Sequence, residues 1–361
     1  MKKNVKQKPP QDNLDTRLSD SRPEFIDVED EPANTLSPLV KRVRAVAKKA
    51  QATRESREEK HQQIDMRQLD LFVANLLDYN LKDDIATMEA PLFSLSTKPD
   101  MDTWRWVSAD KKKWLEVTPS SIGRATIHDK DLLIYLTSQL VAAMNDAARA
   151  GTKMPGRRIR FTLHDFLIAT GRDTAGKAYV SVESTLDRLS GTRLKTNMEM
   201  GNIDRRKSFG LIESSDYILE KDSKGNQRMT SIEVTLSEWL YRALEQKNIL
   251  TITPLYFTLR KPLEKRLYEL ARKQVGEQAE WIIKEDNLLE RTGSKANIRE
   301  FRRMLGAIIE DDSIPDYRML RYKSDKNINM VRFYQKSAKK LALAYSKKSG
   351  GKAKPDVDLL G

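Results

Sequence analysis

Arg299, Arg302 and Arg303 stand close together in a stretch that also carries Lys295 and Asn297, and Lys323 and Lys326 follow. A guanidinium is a rigid planar fork of donors that matches a phosphate or the O6/N7 edge of guanine. A second set, Lys177, Ser181, Ser184 and Arg188, returns at steps of four, three and four. Such side chains hold polyanions: Arg can read base edges, while Ser and Lys mostly grip phosphates. Solvated charges on an exposed helix are the ordinary alternative.

Bond-breaking chemistry finds little support. His61, His128 and His164 are the only histidines and there is no cysteine. A His/Cys metal site and thiolate chemistry are therefore not expected. The stretches GTKMPG at 151–156 and SGGKAK at 349–354 both miss the G-x-x-x-x-G-K-[ST] pattern of a phosphate-binding loop. Tyrosines could serve a nicking enzyme, but the closely spaced histidines that would hold its metal are missing. The acidic pairs Asp83-Asp84 and Asp311-Asp312 read as solvated charges at helix ends or in loops. No catalytic residue, metal or cofactor is expected, and the chain reads as a non-enzyme.

The chain has 361 residues and a formal net charge of +13, with a sequence pI of about 9.5. That balance favours nucleic acid as the partner, with a membrane surface the weaker candidate. The longest apolar run, Leu132–Met144, is broken by Thr137, Ser138 and Gln139 and is too short to span a bilayer. The polar opening MKKNVKQKPPQDN lacks the apolar core of a signal peptide. A cytoplasmic protein is expected.

The elements that must position the arginines follow from periodicity. From Thr253 the chain reads as a helix with Leu263, Leu267, Leu270 and Ala271 on one face. A strand at Trp281–Ile283 and a short helix through Leu288 and Leu289 come next. The turn Thr292-Gly293-Ser294 leads into a helix with the apolar stripe Ile298, Phe301, Leu305 and Ile308. Arg299, Arg302 and Arg303 lie off that stripe, and two strands flank the polar turn Lys323–Asn329. Helix, strand, helix, turn, helix, hairpin is the order of a winged helix-turn-helix, whose helix after the tight turn enters the DNA major groove.

The same order reads a second time upstream. Asp129–Ala150 is a long helix with Asp129 as its cap, Arg157–Phe161 a strand and Thr162–Thr170 a short helix. The turn Gly171-Arg172-Asp173 precedes a helix over Lys177–Leu189, with Tyr179, Val182, Leu186 and Leu189 facing inward. Strands follow at Thr192–Thr196, Gly210–Glu220 and Met229–Leu236, with a hairpin turn at Lys221–Asn226. Ser237–Asn248 is a joining helix. Ahead of this unit, Trp104, Trp106 and Trp114 alternate in a strand pair around Lys111-Lys112-Lys113, and read as core more than as base-stacking surface.

The expected fold class is α+β: two tandem winged-helix domains, 78–249 and 250–336, with a disordered basic arm at 1–66 and a basic tail at 337–361. Within the arm, Ser37–Ile64 reads either as a flexible charged segment or as a basic helix that forms on a partner.

Between arm and first domain, residues 67–77 include Gln68, Leu69, Asp70, Leu71 and Phe72. This QLDLF pentapeptide closely resembles the bacterial sliding-clamp-binding motif. The Gln amide can bond at a pocket rim while Leu71 and Phe72 fill an apolar cleft. Alternatively Leu69, Phe72, Val73, Leu76 and Leu77 form an ordinary helix face.

The tandem pattern, the RLYELARKQ helix at Arg266–Gln274 and the NIREFRRML helix resemble the plasmid replication initiators of the RepA/TrfA kind. The likeness runs over roughly residues 91–334, and QLDLF adds to it. It implies binding to directly repeated origin DNA, recruitment of host replication proteins such as the sliding clamp, the host initiator and the replicative helicase, and a homodimer as an inactive form. Bending and local duplex opening would follow if binding many adjacent sites deforms the DNA. The long basic arm departs from the best-known members. A winged-helix transcriptional regulator explains the same basic helices but not QLDLF.

Overall fold

The computed structural model describes residues 71–73, 81–108, 110–172, 177–197, 207–221 and 227–337. The N-terminal arm, Gln68–Asp70, most of the expected hairpin turn at 221–226 and the tail beyond 337 lie outside the described residues. The chain opens with β1 (Leu71–Val73), β2 (Leu81–Asp84) and α1 (Ile85–Glu89). The expected strand pair is β3 (Trp104–Val107) with β4 (Trp114–Thr118), antiparallel. Leu115 and Val117 are buried, and Trp104 and Trp106 pack against the same core.

The first unit is built on α2 (Lys130–Ala150), closed by Gly151 at φ 65, whose N–H bonds the Ala147 carbonyl. Glycine, with no Cβ, adopts that left-handed closing conformation at least cost. Asp129 makes no side-chain capping bond. Its carboxylate instead accepts from Thr185 Oγ1 at 2.8 Å and from Arg188. β5 (Arg158–Phe161) follows, then α3 (Leu163–Ala169), capped by Thr162, and α4 (Lys177–Gly191). β6 (Arg193–Thr196) and β7 (Lys207–Phe209) extend the tryptophan pair into a sheet ordered β3-β4-β6-β7. β8 (Ile212–Lys221) and β9 (Gln227–Leu236) complete a sheet ordered β1-β5-β9-β8.

α5 (Glu238–Glu245), capped by Ser237, leads to β10 (Ile249–Ile252), which pairs antiparallel with β2. The second unit runs α6 (Pro262–Val275), β11 (Glu280–Lys284), α7 (Glu285–Thr292), α8 (Ile298–Glu310), β12 (Tyr317–Lys323) and β13 (Asn329–Gln335). Its sheet order is β11-β13-β12. In both units the strand between the helices pairs with the returning strand of the hairpin; the second unit runs helix, strand, helix, helix, hairpin without interruption, whereas in the first β6 and β7 stand between α4 and the hairpin.

Two apolar clusters form the core. Leu81 and Met88 precede the first unit in the chain yet pack in the second cluster, together with Ile134 of α2. The units are also joined by buried ions. Lys130 Nζ lies 2.8 Å from both Asp83 and Glu269, Lys265 Nζ lies 2.7 Å from Asp131, and Arg266 lies 3.1 Å from Glu269. The solvated reading of Asp83-Asp84 is thereby corrected, because both are buried. Desolvation makes such a cluster costly unless each charge is matched, so the partners arrive together from α2, α6 and β2.

Candidate nucleic-acid interface

Periodicity alone orients α8. Phe301, Leu305 and Ile308 are buried and Ile298 is half-buried, which turns Arg299 and Arg303 to solvent. Gly293 at φ 69 closes α7 and permits the tight turn into α8. Asn297 caps α8, its side chain accepting from the Glu300 N–H at 2.9 Å. That amide therefore holds the helix end, which leaves it less free for a ligand than its position suggests.

The basic residues of this unit fall into three states. Arg299 is exposed and makes no side-chain hydrogen bond or ion pair with a described residue. Arg303 is exposed and bonds Glu300 through Nε and Nη2 at 2.9 and 2.7 Å, a surface pair that a stronger anion can displace. Arg302 is half-buried, its Nε donating to Glu285 at 2.7 Å. Lys295 is tied to Asp100 at 2.7 Å and Asp102 at 2.8 Å, both on the segment after α1. Lys323 and Lys326 are exposed at the β12–β13 hairpin tip, where Asn327 takes φ 58.

In the first unit Ser181 is exposed and Ser184 half-buried on α4, beside exposed Glu183 and Asp187. The Lys177 side chain lies outside the described residues. Arg188 does not project outward as its spacing implied. It forms a two-point pair with Asp129, Nε at 2.7 Å and Nη2 at 2.6 Å, with Asp129 only 2% exposed. A buried carboxylate without its cation is strongly disfavoured, so this arginine braces α4 against the start of α2.

Two residues escaped sequence reading. Arg321 on β12 donates from Nε to Glu285 at 2.6 Å. Strand alternation carried the signal: Tyr317 and Met319 point inward, and Arg321 continues that face past the end of the core. Glu285, at the first turn of α7, is buried, and nothing local in the sequence marks it.

Among the described residues no group of His, Asp and Glu could hold a metal ion, and no helix is long and apolar enough to cross a membrane.

Residues 82–319 match the family model described as "Replication initiator protein A". The chain belongs to that family. It is 36% identical over 250 residues to a "Putative replication protein" of Wigglesworthia glossinidia brevipalpis, covering 69% of this chain and 87% of the relative. Among solved structures, domains 2 and 3 of RctB match 70% of this chain and 98% of theirs at 13% identity and a TM-score of 0.50, a likeness of fold. The Pi initiator protein, solved with iteron DNA, aligns over 58% of this chain and 94% of its own at 15% identity. Its TM-score of 0.36 is too low to bear on fold or function. The resemblance drawn from the RLYELARKQ and NIREFRRML helices thus reached the right family. The first of those helices carries Lys265, Arg266 and Glu269 of the buried ion cluster, and the second is α8.

Proposed function

We propose that this initiator-family protein binds repeated duplex sites at a replication origin through two winged-helix units and starts replication there. The observation that carries the reading is α8: a helix after a glycine turn, its apolar stripe inward, with Arg299 and Arg303 outward beside a hairpin tip bearing Lys323 and Lys326. That is the arrangement a winged helix uses in a major groove with its wing on the adjacent backbone. The first unit shares the run of helix, strand and two helices, with β6 and β7 inserted ahead of its hairpin, and its α4 would enter a second groove about one helical turn away. There Ser181 and Ser184, rather than Arg188, are placed to touch DNA. Linking the units raises affinity through effective concentration. The role is binding and deformation of DNA in the cytoplasm, not catalysis. Occupancy of adjacent sites would bend the duplex and promote its opening.

Recruitment of the sliding clamp through Gln68–Phe72 is part of the proposal, as are contacts with the host initiator and helicase and a homodimeric resting form. Leu71 and Phe72 lie in β1, three residues paired parallel to β5 at the edge of their sheet. So short an edge strand is held by few hydrogen bonds and can be released to a partner.

Footprinting the full-length protein on DNA flanking its own gene tests the central claim. Protected direct repeats are expected. Uniform coverage without repeats, or no protection, would reject origin recognition.

A further inference from the structure

Glu285 is 1% exposed, yet it meets two arginines from two different elements. Its Oε2 accepts from Arg302 Nε of α8 at 2.7 Å, and its Oε1 accepts from Arg321 Nε of β12 at 2.6 Å. Arg321 Nη1 also reaches the Arg302 carbonyl at 3.5 Å and lies over Gly306, a position on α8 without a side chain. Both guanidinium groups are thus engaged on one edge, and the two side chains remain about a third exposed, at 37% and 35%. Among the described residues the other acid touching either group is Asp286, 74% exposed and 3.5 Å from Arg302 Nη2, a contact weak enough to be given up.

Buried Glu285 carries one negative charge for two cations. The second charge is matched only by exposed Asp286 at 3.5 Å, which a phosphate at the corner where α8 meets the hairpin can replace. Long arginine side chains are otherwise free to sample rotamers, and fixing them before a ligand arrives removes that entropic cost from binding. We propose that Glu285 is a positioning residue: it holds Arg302 and Arg321 side by side as a paired seat for one phosphate of duplex DNA. This rests on the DNA-binding reading above, adds Arg321 to the contact set, and gives Arg302 a backbone rather than a base-reading role.

The test uses full-length protein and the duplex repeat found by footprinting, with a random-sequence duplex of equal length for reference. Affinity is measured across a salt series, with thermal stability alongside. Glu285→Gln removes a negative charge from the face turned to DNA. If Glu285 only braces the fold, binding tightens or stays unchanged. If it positions the arginines, binding weakens about tenfold or more, and the slope of log affinity against log salt falls by ~0.9, the value for one phosphate. In an Arg302→Ala, Arg321→Ala background the same substitution should then weaken binding no further.

Arg321→Ala leaves the Glu285–Arg302 pair in place and stands in if Glu285→Gln does not fold. It should lower the slope equally on repeat and random duplex, with little change in stability. Unchanged binding by Arg321→Ala, or unchanged or tighter binding by Glu285→Gln, overturns the proposal while leaving DNA recognition intact. Absence of DNA binding by the unaltered protein overturns both.

Discussion

Arg188 and Arg299 are the same residue type on the corresponding helices of two similar units, and the structure gives them opposite fates. Arg188 neutralises a carboxylate that water cannot reach, whereas Arg299 faces solvent. Arg188→Ala should therefore lower stability by roughly 3 kcal/mol, the low end for a broken buried pair, because Thr126 and Thr185 still bond Asp129. Its DNA affinity should stay nearly unchanged. Arg299→Ala should do the reverse, weakening specific binding by ~1–3 kcal/mol if it reads a base and leaving thermal unfolding where it was. Arg303→Ala should follow Arg299→Ala in direction. Melting curves and anisotropy titrations on the same preparations decide the matter. Equal losses on specific and random duplex would assign Arg299 to phosphate, and a DNA-binding defect in Arg188→Ala without loss of stability would contradict the bracing role.

At the scale of elements, what was legible was local. The stripe Ile298, Phe301, Leu305 and Ile308 gave α8 and its orientation, Gly293 gave the turn, and alternation gave β3 and β4. What escaped was non-local. β2 pairs with β10 from far along the chain, and no pattern within either strand names the other. Asp83 looks like surface because its matching cation, Lys130, sits on a helix far along the chain. Arg188 looks exposed until Asp129 is seen opposite it. The segment at Leu71–Phe72 tests the same boundary. Its residues could belong to a helix face or be offered to a clamp, and the backbone is instead a short edge strand on β5. A synthetic peptide spanning Met66–Ala74 should bind the sliding clamp with micromolar affinity, since burying Leu71 and Phe72 contributes ~1.5–3 kcal/mol each while ordering a free peptide takes back part of it. Leu71→Ala with Phe72→Ala should abolish clamp binding and leave thermal stability and origin binding intact. A silent peptide, or a collapse in stability, would assign these side chains to the fold.

At the scale of the whole molecule, the two units meet through charges as well as apolar surface, and this gives the junction a pH dependence. Burial pushes the Asp83 carboxyl up to about 7; Lys130 opposes the rise, and the neighbouring Glu269 and Asp84 add to it. Its ordinary value is 3.8. The folded protein therefore holds a proton there that the unfolded chain has released, so the associated stability is full below the ordinary value and is lost as pH rises through about 7. Asp131 is different: burial pushes it up, but Lys265 and Arg172 outweigh that and hold it below the usual carboxylate range, so its contribution is lost only in acid. His128 works against Asp83, because burial lowers its affinity for a proton and makes the fold prefer the neutral ring as pH rises. A single melting profile mixes the two effects, and Asp83→Asn separates them. Asparagine keeps the shape at β2, and Lys130 keeps Glu269 at 2.8 Å. Between pH 6 and pH 8 the unaltered protein should lose about 1 kcal/mol more stability than Asp83→Asn, or ~2–4 °C in Tm. The extra loss should fall mostly below pH 7 and level off above it, and it should survive high salt, since a buried cluster is poorly screened. Parallel pH profiles for the two proteins would place the proton elsewhere in the cluster and remove Asp83 as the titrating group between the units.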